Sequence, residues 1–508
     1  VEAEAPPEPA TTAAPEGPSL ALEFALDPAA AARLARHPGF AGARAGRSRS
    51  HAEELIWLDT ADGALAATGL VLERPRRGPA RLLRAMPPAG AGWSPGTPPL
   101  PATEALPEGP TLVPIAAFSG RRTATPLATP DGAVQAVLLA GKLRAVADER
   151  PVARLLLEGP QEAVLGLAGR FAGDLALLPP GAALAEEGRA LARGEPPRAR
   201  RRGPPNLADA ATVEAALAGA IGHLVEVMLV YAPGCRLGLG PEGVHQTRVA
   251  LRRLRSILRT FRPASRCAAL DGFDRGLKTL ADRLGPARDW DVFLGGLGAA
   301  AAEAMAGPNG PDKRMAQLLK SAEAKRQGAY HALRAELDGA GFRRLVLDGI
   351  ALLHRRPWHV PPEGITAEER AARLAEPLAD FASALLDKRW HKLHEEGEEI
   401  ETHSAEQLHE VRLEAKRLRY AAELFAPLWP GKPTRRFLRR LAALQEDLGV
   451  ANDTEVARGL VASLGPAVPA WAVGAVEGFA AARVAPARRH ALDTWEGLMA
   501  CAPFWAET

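Results

Sequence analysis

The chain has 508 residues, enough for two or more domains with sizeable cores. Its apolar fraction of 47% is ordinary for a globular protein, and a formal net charge of only +3 excludes a chain that is basic throughout, so any basicity that matters is local. Nine of its 63 basic residues are lysines. A codon bias toward Arg and Ala is the plain explanation; the chemical one is that arginine offers phosphate oxygens a flat fork of donors where lysine is a point charge.

Residues 1–17, mostly Ala, Pro, Glu and Thr, read as a disordered tail. Cys235, Cys267 and Cys501 are widely spaced and form no metal-type CxxC, a set that fits a reducing compartment. No secretory leader is visible and no apolar run reaches the ~18 residues of a membrane span, so a cytoplasmic protein with no membrane partner is expected. From residue 18 to 192 short apolar runs read as strands: Leu20–Leu26, Leu55–Leu58, Leu70–Leu72, Arg81–Met86, Leu112–Phe118, Val134–Leu139 and Val152–Leu157. Helical patterns lie at Pro28–His37 and Gln161–Ala172, and the Pro- and Gly-rich Ala89–Pro110 reads as a long loop. The sum is an α+β domain dominated by an antiparallel sheet.

The blocks LALEFALDP, LIWLDTADGALAATGLVLERPRRG, LVPIAAFSGRRTATPL and LPPGAALAEEGRALA resemble the successive parts of a CYTH domain, the triphosphate tunnel metalloenzyme fold. That resemblance implies carboxylates alternating along strands, which point to one face and hold a metal there. Here the first such strand has Ala21, Glu23 and Ala25, and a later one has Arg154, Leu156 and Glu158; the lysine expected near the domain end is Leu184. Arg74, Arg84 and Arg122 remain as basic tunnel candidates. The expectation is a degenerate CYTH-like fold that has lost metal-dependent hydrolysis.

Residues 193–205, RGEPPRARRRGPP, read as a linker whose Arg198, Arg200, Arg201 and Arg202 are solvated. From 206 to 508 the pattern is helical: Ala211–Tyr231, Val244–Arg262, Asp271–Leu284, Asp289–Ala302 after a Gly-Pro break, Asp312–Leu337, Phe342–Leu353, Glu368–Glu396, Glu406–Leu424, Thr434–Leu448, Asp453–Leu464 and Val468–Thr494. Such a run predicts an all-α bundle.

Within it, VHQTRVALRRLRSILRTFRP at Val244–Pro263 carries six arginines and no acid. His245, Arg248, Arg252, Arg255, Arg259 and Arg262 follow steps of three and four and share one stripe, beside an apolar stripe of Leu251, Leu254, Leu258 and Phe261. The stretch returns as LHEVRLEAKRLRYAAELFAP at Leu408–Pro427. An offset of 164 takes His245 to His409, Arg248 to Arg412, Arg252 to Lys416, Arg253 to Arg417, Arg255 to Arg419, Leu284-Gly285 to Leu448-Gly449 and Asp289 to Asp453. A fixed offset across two blocks is an internal duplication. Glu410, Glu414 and Glu423 make the copy less basic. Two basic helices repel when brought close, and a polyanion between them gives the duplication a purpose.

These doubled blocks, with LADRLGPARDWDVFL and ALQEDLGVANDTEVA, resemble the CHAD domain, the conserved-histidine α-helical domain often joined to CYTH. The resemblance implies two four-helix bundles with pseudo-two-fold symmetry and a basic groove between them that binds inorganic polyphosphate. From the family's basic face come His245, Arg248, Arg252, Arg253 and Arg255, and in the second copy His409, Arg412, Lys416, Arg417 and Arg419. Arg259 extends the first stripe, and Arg275, Lys278, Arg439 and Arg440 on the following helices are second-rank contacts. Taken singly, an arginine on a helix is usually a solvated face; the stripe kept through duplication is what points to a ligand.

Other features have plainer readings. Asp289 and Asp453 follow a Leu-Gly pair and are expected to cap helix starts or to orient basic-helix arginines, rather than to act with Arg288, Asp291 and Asn452 as a metal or catalytic site. His391, His394 and His403 read as an exposed helix face, and Trp93, Trp290 and Trp390 as core or loop anchors. No nucleophile–base motif or Gly-rich phosphate loop stands out, and no catalytic residue, metal or cofactor is expected. The expected function is non-catalytic capture of polyphosphate, in the cytoplasm at polyphosphate granules and among their proteins. The rivals are a metal-dependent inorganic triphosphatase at the CYTH-like domain and a nucleic-acid-binding module, for which aromatic residues interleaved with the first basic stripe are lacking.

Overall fold

The computed structural model describes residues 18–87, 94–104, 106, 111–146, 148–308 and 310–506. The expected tail at 1–17, Trp93 and part of the expected Ala89–Pro110 loop lie outside them, and the described part of that loop includes a short strand, Leu100–Pro101. Contacts divide the described chain into two compact units, one from 1–86 with 96–198 and one from 87–95 with 199–508.

The first unit is one curled eight-stranded sheet, antiparallel at every pairing. Its strands are β1 (Ser19–Leu26), β2 (Arg49–Thr60), β3 (Leu70–Pro75), β4 (Arg81–Arg84), β5 (Leu100–Pro101), β6 (Leu112–Thr129), β7 (Gly132–Arg144) and β8 (Glu149–Pro160), in the order β1-β8-β7-β6-β2-β3-β4-β5. Five of them outrun the apolar stretches that predict them: β2, β3, β6, β7 and β8 continue through polar residues because neighbouring strands satisfy their backbones. Gly120 and Gly141 are register partners, and a Cβ on either would stand within 2.4 Å of the other strand's backbone. That close approach lets the sheet curl. Short helices α1 (Pro28–Arg33), α2 (Pro38–Ala43) and α3 (Ala64–Ala67) fill corners, while α4 (Gln161–Asp174) packs on β1, β7 and β8. Helix α5 (Leu184–Arg193) covers a core of Leu55, Trp57, Ala116, Phe118 and Leu143.

The predicted linker is not a solvated run. Glu186 of α5 is buried and accepts from Arg189 Nη2 at 2.7 Å and from Arg198 Nη2 at 2.7 Å. Burial alone would raise its pKa; hydrogen bonds from Arg189 and Arg198 outweigh that and bring it to about 2. Arg200, in the second unit, is also buried, with Nη1 3.8 Å from Glu226 Oε1.

The second unit is all helical. Its first repeat holds α6 (Val213–Tyr231), α7 (Glu242–Thr260), α8 (Arg262–Ser265), α9 (Ala268–Gly295), α10 (Leu297–Ala304), α11 (Lys313–Asp338) and α12 (Ala340–Arg355). Its second holds α13 (Ala367–Ala375), α14 (Leu378–Glu396), α15 (Ala405–Phe425), α16 (Lys432–Asp447), α17 (Gly449–Ala462), α18 (Ala470–Ala482) and α19 (Val484–Met499). Helices α6, α7, α9 and α11 pack as one bundle, with α12 added against α6, α9 and α11; α14, α15, α16 and α19 pack as the other. A third apolar cluster joins the repeats, with Trp290 and Phe293 of α9, Met315 and Leu318 of α11, Ala457 and Val461 of α17, and Val476 of α18.

Four local expectations are corrected. The 22-residue segment Val213–Gly234, with a mean hydropathy of 1.7 over its most apolar 18-residue window, is long and apolar enough to span a membrane, yet 67% of that window is buried as the core helix of the first bundle. Helix α9 runs through Pro286 without a break. A mid-helix proline costs about 3 kcal/mol, and the buried face of Leu284, Ala287, Trp290 and Phe293 offsets it. Conversely, the predicted Glu368–Glu396 helix breaks at Pro377, and the predicted Val468–Thr494 helix breaks at Arg483, just before Pro486.

Candidate functional site

Helices α7 and α15 pack against each other in the second unit, so the two basic stripes meet. Each is held by an apolar back: Leu251, Leu254 and Leu258 on α7, Val411, Leu418 and Phe425 on α15. The start of α7 is fixed by Gly243, where a Cβ would lie 2.4 Å from the backbone of Gly234. A capping box fixes the start of α15: Ser404 Oγ accepts from Gln407 N at 3.2 Å, and Gln407 Oε1 from Ser404 N at 2.8 Å.

Two cavities, of about 510 and 480 Å³, open along these helices. They share a waist of Arg248, Arg252, Lys416 and Tyr420. Arg288, Arg412 and Arg483 add to the first cavity only, and Arg255, Arg259, Arg389 and Arg417 to the second only, so ten cations line the pair. The lining acids are three: Asp289 and Asp453 in the first cavity and Asp282 in the second. The first cavity is lined by pairs that the 164-residue offset relates, Arg248 with Arg412, Arg252 with Lys416, Asp289 with Asp453 and Val292 with Val456. The two repeats thus face each other across it.

Among the described residues, Arg248, Arg252, Arg288, Arg389, Arg412 and Lys416 have no carboxylate within 4.0 Å. Arg255 and Arg417 do have protein partners, Asp274 at 2.9 Å and Glu414. The Tyr420 ring sits beneath two cations, Arg252 at 5.1 Å and Lys416 at 6.0 Å from its centroid. Burial, and then Arg412, Arg252, Arg248 and Arg259, push the Lys416 ammonium below its ordinary pKa. Four buried polar atoms here lack a hydrogen-bond partner: Arg389 Nε, Arg412 Nε, Tyr420 Oη and Gln445 Oε1. Buried polar groups are normally satisfied; Arg389 Nε, Arg412 Nε and Tyr420 Oη are donors that an anion would meet, and Gln445 Oε1 is an acceptor.

Residues 219–462 match the family model of the CHAD domain. The helical unit carries a CHAD domain. A crystal structure of the CHAD domain from the plant Ricinus communis is 28% identical, covering 59% of this chain and 96% of its own, with a TM-score of 0.49. PptA from Streptomyces chartreusis is 19% identical, covering 56% of this chain and 100% of its own, with a TM-score of 0.41. No curated protein matches the chain. The first unit's curled antiparallel sheet fits a CYTH-like tunnel.

Within the CHAD domain the site residues read from sequence separate into two groups. Arg248, Arg252, Arg255, Arg259, Arg412, Lys416 and Arg417 line the cavities. The others do not. His245 is half-buried, and burial followed by Arg288 pulls its pKa down, which favours the neutral ring. Arg253 is half-buried outside the lining, Arg419 pairs with Glu423 at 2.7 Å, and His409 is exposed. Arg275 and Lys278 are exposed on α9. Arg439 lines a separate concavity with Lys432, Arg435 and Arg436, and Arg440 lies over Gly497 of α19.

Asp289 and Asp453 are not caps, because α9 passes through the first and α17 begins four residues before the second; both line the first cavity instead. Asp291 is a structural acid, accepting from Arg326 Nε at 2.7 Å and Tyr330 Oη at 2.8 Å. The three histidines are scattered: His403 is buried with Nε2 2.8 Å from the Glu396 carbonyl, His391 Nδ1 lies 2.7 Å from the Asp387 carbonyl, and His394 packs edgewise on Trp390 and Trp495. The sequence reading missed Arg389, Arg483, Tyr420 and Gln445. The repeat offset points to two of them, since it pairs Tyr420 with Ser256 and Gln445 with Ala281, all cavity-lining; nothing in the sequence marks Arg389 or Arg483.

In the CYTH-like unit a cavity of about 300 Å³ is lined by Glu23, Glu53, Glu73, Arg81, Arg122 and Arg154 among apolar residues that include Leu184. Arg122 lines it; Arg74 and Arg84 do not, and Arg84 pairs with Glu104. Glu73 accepts from Arg81 Nη2 at 2.5 Å and Trp57 Nε1 at 3.0 Å, while Arg154 Nε stands 3.8 Å from Glu23 and its Nη2 2.6 Å from Glu187. This donor set does not fit the divalent metal of the fold family, because cations of the protein already occupy the positions beside its acids.

Proposed function

We propose that the CHAD domain binds inorganic polyphosphate in the paired cavities between α7 and α15, without cleaving it. One observation carries the reading: ten cations against three acids, contributed from both repeats, beside buried polar atoms with no partner in the protein. Like charges this close repel, and a chain bearing about one negative charge per phosphate relieves that repulsion along its length. The arginine forks take phosphate oxygens as charge-assisted hydrogen bonds. No base edge is needed for such recognition; it follows charge density, as in binding to a nucleic-acid backbone. We propose a location in the cytoplasm at polyphosphate granules, which fluorescence co-localisation with stained granules tests.

The deciding experiment titrates the full chain with polyphosphates of defined length at fixed salt. Affinity rises with chain length until both cavities are spanned, and it falls steeply with added salt. Triphosphate binding as tightly as long chains refutes the reading.

A further inference from the structure

The two cavities have different walls. The second sets seven cations beside Asp282, Tyr420, Ser256, Ala281 and Leu413. The first adds to its cations the apolar residues Val292, Phe293, Leu297, Val456 and Leu460. Val292 and Val456 are 49% and 43% exposed, among the few large apolar side chains on this protein's surface. Gln445, Asn452, Asp289 and Asp453 line the same cavity. A bare phosphate chain gains nothing from an apolar wall and is repelled by carboxylates, so half of the first cavity is unexplained by polyphosphate.

We propose that the paired cavities also take a nucleoside oligophosphate, with its phosphates on the waist and in the second cavity and its nucleoside in the first. The inference rests on the polyphosphate reading, because the same cations hold the phosphates. At about 510 Å³ the first cavity falls within the ~300–1,000 Å³ typical of small-ligand sites. The flat face of a base covers the exposed valines. Its edge meets groups that polyphosphate leaves idle: the buried, unpartnered Oε1 of Gln445, the amide of Asn452 and the two aspartates. Burial raises the Asp289 carboxyl above its ordinary pKa despite Arg248 and Arg288, so hydrogen-bond donors are what it lacks. Guanine presents two adjacent N–H donors on its pairing edge, which a carboxylate accepts together. Adenine presents one donor beside an acceptor, which a carboxylate repels.

The test is displacement of fluorescent long-chain polyphosphate from the full-length protein at fixed salt and equal phosphate number, using inorganic tetraphosphate, adenosine 5′-tetraphosphate and guanosine 5′-tetraphosphate. The guanosine compound is expected to displace at about tenfold lower concentration than inorganic tetraphosphate, as one or two good base contacts supply, with the adenosine compound between. In a protein carrying both Val292→Ser and Val456→Ser, two exposed positions whose change leaves the fold intact, the ratio between guanosine and inorganic compounds falls toward one. Equal displacement by all three in the unsubstituted protein overturns this inference and leaves the polyphosphate reading standing. Failure of the long chain itself to bind overturns both.

Discussion

Arg252→Ala is the sharpest perturbation of the proposed site. Arg252 lines both cavities, is exposed, lies over Tyr420 and has no carboxylate within 4.0 Å among the described residues, so its removal leaves no buried charge stranded. A hydrogen bond to a charged group contributes about 1.5–3 kcal/mol, and each 1.4 kcal/mol is tenfold in affinity. Loss of Arg252 therefore weakens long-chain polyphosphate by about 10- to 100-fold. The salt dependence gives a second, independent number. Ten lining cations less three acids leave an excess of seven. At about −0.7 per neutralised phosphate of a single-stranded polyanion, log K against log salt has a slope of about −5, and Arg252→Ala makes it shallower by about 0.7. Fluorescence anisotropy at four or five salt concentrations measures both. Arg275→Ala and Lys278→Ala are the controls: both residues are exposed on α9 outside the cavities, and each changes affinity less than twofold. If either control flattens the slope as much as Arg252→Ala does, the ligand does not lie between α7 and α15.

Tyr420→Phe removes a hydroxyl with no protein partner; binding falls about fivefold, the ~1 kcal/mol of one hydrogen bond, while thermal stability holds or rises. Lys416, with its pKa lowered by burial and four arginines, regains its proton when phosphate arrives, so binding takes up protons as pH nears the free lysine's pKa and weakens above it; calorimetry in two buffers of different ionisation enthalpy reads the uptake. Gly243→Ala forces a methyl into the backbone of Gly234 and destabilises the helical unit by about 1–3 kcal/mol, seen in urea unfolding. Glu186, ordinarily 4.5 and held at about 2, contributes roughly 3 kcal/mol to the first unit; the pKa is lowered on folding, so this is present above about pH 4.5 and lost as pH falls toward 2, which hydrogen exchange of the sheet amides follows.

The order and kind of elements were legible because period and punctuation agreed. Short apolar runs set off by Gly and Pro marked the strands, and steps of three and four marked the helices that meet at the site. What failed was local. Pro286 reads as a break, but a helix ends only when no buried face repays its continuation, and α9 has Trp290 and Phe293 just beyond. Placing Asp289 as a cap followed from that break. On the two basic helices, seven of the eleven candidate residues line the cavities, because a stripe 3.6-periodic in sequence still has width, and its edges, Arg253 and Arg419 among them, turn elsewhere. Arg389 comes from a helix outside the repeated basic pair and Arg483 from the turn between α18 and α19, and only packing brings them in.

The two units reached opposite ends from similar materials. In the sheet cavity arginine meets glutamate on its own walls: Arg81 holds Glu73, and Arg154 stands beside Glu23 and Glu187, so charge is neutralised within the protein. In the helical cavities the acids that the second repeat did acquire, Glu414 and Glu423, engage Arg417 and Arg419, leaving Arg412 and Lys416 unengaged. The waist, Arg248, Arg252 and Lys416, is where opposition is least and where the repeats face each other. A fold gains no stability from crowding cations at a shared boundary, and apolar residues of similar volume there would cost less. Packing alone therefore does not account for their presence at offset-related positions in both halves, and the proposed bound polyanion does.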